Sequence, residues 1–193
     1  MRVLVVYCHP VETSFHAALH QEVLKNLRAA GHEVDDCDLY AEGFNPVLSR
    51  EERIDYHDLA LNRVYAGPYV DRLLAAEGLV LVFPVWNYGY PAILKGFLDR
   101  VFLPGVSFTL ANGKVWPALS NIHKLAAVTT YGGSRLRTII MGDPPRRHFK
   151  RALRLNMKPG APAKYLALYD MNRATEAGCA AFLATVRRVM RTF

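Results

Sequence analysis

Three short segments of this chain gather the residue types that hold a ligand. Cys8-His9-Pro10-Val11-Glu12-Thr13-Ser14-Phe15 sets an imidazole and two hydroxyls behind the apolar run Val3–Tyr7. Hydroxyls and free N–H groups at a helix start lie at the positive end of the helix dipole, which binds phosphate readily. Pro84-Val85-Trp86-Asn87-Tyr88 places two aromatic rings and an amide behind a second apolar run, Leu79–Val82. A proline there is expected to stop the strand ladder and leave backbone N–H and C=O groups free for the polar edge of a flat heterocycle. Thr129-Thr130-Tyr131-Gly132-Gly133 ends a third run that begins at Leu125, and its two glycines let backbone approach a ligand closely. A ligand with a phosphate tail and a flat ring suits all three, and a flavin is the simplest such ligand.

Each residue also has a plainer role. Ser14 caps a helix whether or not it touches phosphate, and Trp86 and Tyr88 would serve equally as core or interface aromatics. Other chemistries find no support. A low-molecular-weight phosphatase needs C-x5-R after the first strand, and here that position is Ser14. Cys8 therefore reads as a small buried residue. No G-x-G occurs anywhere, so neither a Rossmann fingerprint nor a Walker loop is present. No metal site is expected.

The elements that must position these loops alternate along the chain. Val3–Tyr7 reads as a first strand. A helix follows from about Ser14, with Leu19, Val23, Leu27 and Ala30 on one face and Gly31 as its stop. Glu33–Leu39 reads as a second strand, Gly43–Asp58 as loop, and Pro68–Glu77 as a helix before the third strand opens at Gly78. Pro91 suits the first turn of the next helix, whose apolar face is Leu94, Phe97, Leu98, Val101 and Phe102. Leu125–Thr130 and Tyr165–Tyr169 are the fourth and fifth strands. A last helix from about Ala174 buries Phe182, Leu183, Val186 and Met190. Five strands separated by helices predict an α/β three-layer sandwich with a parallel sheet of order 2-1-3-4-5, as one domain over 1–193. In such a sheet the loops beyond the strand ends form the ligand crevice.

At 193 residues, 51% of them hydrophobic, the chain can bury a two-sided core. No apolar run is long enough to span a membrane, and the N-terminal one is too short for a signal peptide. Three widely spaced cysteines (Cys8, Cys37, Cys179) point to a reducing compartment, with the cytoplasm as the expected location. The net charge of +7 concentrates in Arg135, Arg137, Arg146–Arg154 and Arg187–Arg191. A solvated helix face is its first reading and attraction of an anionic substrate such as NADPH the second. Nucleic-acid binding is not expected, because no recognition motif accompanies the charge.

The motifs H-P-x-x-x-S-F (His9–Phe15), F-N-P-V-L-S-R (Phe44–Arg50), P-x-x-x-x-G-x-P-A-I-L-K-G (Pro84–Gly96) and T-T-x-G-G (Thr129–Gly133) are specific together. In them the chain resembles, over nearly its whole length, the flavodoxin-like NAD(P)H:quinone oxidoreductases, a group that includes potassium-efflux ancillary reductases and drug-activity modulators. The resemblance implies a bound flavin, FAD or alternatively FMN, reduced by NADPH or NADH and reoxidised by a quinone. It implies a homodimer with its sites at the subunit interface, and for some members a peripheral membrane-transporter partner. Carried over by position, His9, Thr13, Ser14, Phe15 and His16 would hold the phosphates, although His16 stands where many relatives have Asn. Pro84, Val85, Trp86, Asn87 and Tyr88 would line the isoalloxazine, and Thr129, Thr130, Tyr131, Gly132 and Gly133 would meet its pyrimidine end. Phe108 from the second subunit, with Trp86 and Tyr131, would form the substrate pocket. The tyrosine and histidine that mammalian relatives place beyond the glycine pair have no clear counterpart, and Arg135, Arg137 and Met141 fill that region. No protein acid or base is expected to be catalytic, because the flavin carries the hydride. The alternatives in activity are an azo- or nitroreductase with the same hydride chemistry, a regulatory flavoprotein subunit of a membrane ion transporter, and a one-electron carrier.

Overall fold

A computed structural model describes all residues, 1–193. Five parallel strands form the central sheet in the order β2-β1-β3-β6-β7: β1 (Arg2–Tyr7), β2 (Glu33–Asp38), β3 (Gly78–Val85), β6 (Lys124–Tyr131) and β7 (Ala163–Leu168). This is the expected order, counted along the five strands of the main sheet. Alternate residues of each strand supply two separate cores. Val3, Val5, Val80, Val82, Ala126 and Val128 pack on one face against α1 (Phe15–Ala29) and α7 (Glu176–Met190). Leu4, Val6, Leu79, Leu81, Phe83 and Ala127 face the other side, against α3 (Gly67–Ala75) and α4 (Ala92–Val101). β1 and β3 are covered on both faces, so their sequences are unbroken apolar runs rather than alternating ones. β2 is polar because it is an edge strand with β1 as its one neighbour.

Four expectations need correction. Pro84 does not stop β3, which pairs with β6 as far as Val85↔Tyr131. The ladder between β1 and β3 has already ended at Tyr7↔Val82, so the missing N–H falls where β3 has a neighbour on one side only. The stretch read as loop contains α2 (Arg50–Asp55), opened by a reciprocal capping box between Ser49 and Glu52. A two-stranded antiparallel hairpin, β4 (Phe108–Ala111) with β5 (Lys114–Pro117), follows α4 and was not anticipated. The fifth strand of the main sheet begins at Ala163, two residues before Tyr165.

α4 is the element that fixes the second loop. Leu94, Phe97 and Val101 are fully buried, each worth about 1.5–3 kcal/mol. The F-N-P-V-L-S-R segment braces its outer side. A Cβ on Gly96 would collide with the Pro46 carbonyl oxygen, so only glycine lets the segment lie this close. Arg100 Nε donates to Glu52 Oε1 at 2.6 Å and Arg100 also bonds the Asn45 carbonyl, tying α4 to the start of that segment and to α2 beyond it.

Candidate ligand crevice at the strand ends

The C-terminal ends of β1, β3 and β6 lie side by side where the strand order reverses, and their three loops meet there. In the first loop Ser14 is the N-cap of α1, its Oγ accepting from Ala17 N–H at 3.2 Å. The N–H groups of Phe15 and His16 have no acceptor in the chain and face outward from the helix start. His9 Nδ1 accepts from Val11 N–H at 3.1 Å, which leaves Nε2 as the outward-facing nitrogen. The Phe15 ring packs toward the core, so only its backbone can serve a ligand. Thr13 is exposed beside a cleft of about 770 Å³ that Tyr7, His9, Ser14, His20, Asp36, Asp38 and Tyr40 also line.

The second loop is a tight turn. Trp86 and Gly89 exchange N–H···O=C bonds at 3.2 and 2.8 Å. Asn87 and Tyr88 between them take φ of 48° and 57°, the pattern of a type I′ turn. Left-handed backbone is uncommon for a tyrosine, and such conformations concentrate at functional sites. The Trp86 backbone groups, expected to be free, are therefore consumed by the turn. The Trp86 ring, 43% exposed, stands 5.9 Å from the His9 ring and joins the second loop to the first.

The third loop approaches the second across a cavity of about 280 Å³ lined by Val85, Asn87, Tyr88, Tyr131, Gly132, Gly133, Arg137 and Asn172. A Cβ on Gly133 would lie 3.5 Å from Tyr88 Oη, and one on Gly132 would lie 3.3 Å from Asn172 Nδ2. Both glycine backbones thus face a narrow polar slot. Tyr131 departs from its expected role in the substrate pocket, because its ring is 1% exposed. Its hydroxyl donates to Asp143 Oδ1 at 2.6 Å and lies 2.6 Å from Tyr165 Oη, inside the molecule. Arg146 completes this group, donating to Asp143 at 2.9 Å and to Tyr169 Oη at 2.7 Å. Arg146 is therefore internally paired rather than part of a solvated or phosphate-seeking face. Nothing in the local sequence marks Asp143 as its anchor except the left-handed turn it occupies after Gly142.

Burial sets the protonation of the crevice. Desolvation lowers His16 to about 4, so its imidazole is neutral at pH 7. Burial pushes Cys8 well up and Cys37 up to about 12, which removes a thiolate nucleophile from the first loop. Phe108 lines neither crevice cavity of its own chain.

A flavin's polar tail and ring edge fit what these residues leave unsatisfied. Tyr7 Oη, His16 Nε2 and Thr129 Oγ1 are three of only seven buried side-chain polar atoms without a partner, and all three sit at the ends of the strands or helix that form the crevice. Such groups are costly unless something satisfies them.

The chain is similar to several known proteins. The family model described as flavodoxin-like fold matches residues 1–154. The rat NAD(P)H dehydrogenase [quinone] 1 is 31% identical over 160 residues, covering 74% of this chain and 58% of the rat protein. The NAD(P)H oxidoreductase YcaK of Escherichia coli (strain K12) is 29% identical over 147 residues, covering 73% of this chain and 69% of that one. The crystal structure of Smu.1420 from Streptococcus mutans UA159 superposes with a TM-score of 0.84 at 29% identity, with both chains covered in full. The chain thus spans little more than half the length of the rat relative.

Proposed function

Because this chain belongs to the flavodoxin-like family of NAD(P)H:quinone oxidoreductases, we infer that it is a flavoenzyme moving two electrons from NAD(P)H to a quinone. The observation that carries the reading is the meeting of three loops, one with free helix-start N–H groups, one with an exposed indole, one with two approachable glycines. A bound flavin supplies the chemistry, accepting hydride from the dihydronicotinamide and returning it to the quinone, which also takes a proton from water.

The chain's own residues do the holding. The Phe15 and His16 N–H groups, the Ser14 and Thr13 hydroxyls and His9 Nε2 receive the phosphate. The backbone of Gly132 and Gly133 and the amide of Asn87 meet the polar edge of the ring. Trp86 covers the ring's approach and excludes water from the face where nicotinamide and quinone take turns. Sharing one slot implies ping-pong initial-rate kinetics. FAD is the flavin in this reading, on the first-loop and F-N-P-V-L-S-R motifs, with FMN as the alternative.

The active form in this reading is a homodimer. Leu136, Ile139, Ile140 and Met141 beside the third loop are 53–74% exposed, as are Leu110, Val115 and Trp116 of the hairpin at 53–61%. Apolar residues grouped in this way mark association surfaces, and Phe108 would reach the neighbouring site from the hairpin.

The decisive experiment is anaerobic titration of flavin-loaded protein with NADPH and then a benzoquinone. Bleaching of the flavin band and its prompt return support the reductase. Failure of both FAD and FMN to bind would overturn it.

A further inference from the structure

The slot beside Gly132 and Gly133 holds one cation and no carboxylate. Arg137 lies on α5 (Arg135–Ile140), and its Cδ would be 3.9 Å from a Cβ placed on Gly133. The guanidinium has no ion-pair or hydrogen-bond partner in the chain, whereas the neighbouring Asp170 is taken by Arg173 and the nearby Asp143 by Arg146. The other polar groups of the slot are Tyr88 Oη, Asn87 and the Asn172 amide. Arg137 is solvent-exposed, so its guanidinium is free to meet an anionic or electron-rich partner at the place where glycine backbone admits a ligand edge.

We propose that Arg137 faces the pyrimidine edge of the bound flavin and stabilises the charge that arrives there with the hydride. The inference rests on the flavin reading above and assigns a residue to its energetics. The charge balance is simple. NAD(P)H gives up H⁻ from the nicotinamide ring and becomes NAD(P)⁺, and the two electrons leave one negative charge on the N1–C2=O side of the ring system. Arg137 meets that charge without proton transfer, because a guanidinium stays protonated throughout the working range. When the quinone takes up the hydride and a solvent proton, the slot returns to its starting charge. An interaction present only after hydride arrival favours reduction over simple binding. Arg137 thereby does by fixed charge what a titrating acid would do only below its pKa.

The test uses purified full-length protein loaded with FAD and, separately, FMN. Dissociation constants for oxidised flavin and midpoint potentials are measured for wild type, R137Q, R137K and R135Q. Arg135 carries the same charge on the same helix but does not line the slot. In R137Q the reduced flavin should bind about tenfold more weakly relative to the oxidised form, equivalent to a potential about 30 mV lower for a two-electron couple. R137K should recover most of the shift and R135Q should show none. Equal potentials in wild type and R137Q, both loaded, would overturn the role of Arg137 and leave the flavin site standing. An equal loss of oxidised and reduced flavin would also overturn it, showing a plain contact. So would a change confined to the KM for NADPH and absent for NADH, which would make Arg137 a contact for the dinucleotide's phosphate. If wild type binds neither flavin, the underlying reading of the crevice fails instead.

Discussion

His16 shows how much one side chain can charge the fold for sitting under a ligand loop. Its pKa is about 4 in the folded chain against 6.5 when free, so the unfolded chain binds more protons between those values. The stability it permits is complete above about pH 6.5 and is lost as pH falls toward 4, an effect on the order of 3 kcal/mol. Urea denaturation of wild type and H16N at pH 7.5 and pH 4.5 should show a steeper acid loss in wild type, and parallel losses would mean that His16 is not buried neutral. Tyr131 makes the opposite point. Y131F leaves Asp143 and Tyr165 each short of a buried partner, and should cost about 1–3 kcal/mol. A Tyr131 facing substrate would instead change the KM for quinone while sparing stability, so the two measurements together decide which it does.

At the level of elements, α4 and its brace matter most. A methyl group on Gly96 has no room against Pro46, so G96A should lose about 1–3 kcal/mol or more in urea denaturation and weaken flavin binding as the second loop shifts. S49A, which removes one half of the capping box, should cost about 1 kcal/mol and leave flavin affinity alone. The sequence carried α4 plainly, because its apolar spacing, its leading proline and its Pro104-Gly105 end all agree. Strands β1, β3 and β6 were legible for a similar reason: each is an apolar run bounded by turn residues. α2 was missed although Ser49-x-x-Glu52 spells out its cap, because six residues carry too little periodicity to stand out. The hairpin was missed because all of its residues except Phe108 are exposed, so no buried alternation exists to be read. Within the crevice, the three loops could be assigned from residue types after strand ends. The inward turn of Tyr131 could not, since it depends on Asp143, Tyr165 and Arg146 arriving from 12 to 34 residues away.

For the whole molecule, the question is how it meets copies of itself. If α5 is the contact proposed above, I140D should shift sedimentation from dimer to monomer and remove quinone turnover while leaving the circular dichroism of the fold intact. A variant that stays dimeric would place the contact elsewhere. The main sheet has a rim that bears on this. β2 presents Glu33, Asp35, Asp36 and Asp38 within six residues at one border of the sheet. Arg72 holds Asp35 and His20 meets Asp36, so a second molecule adding its own β2 alongside would bring chiefly Glu33 and Asp38 against their equals, and like charges directly opposite repel. The border is thus closed to strand-by-strand growth, the route by which open sheets build fibrils. A concentrated solution of this protein should therefore resist that kind of gelling.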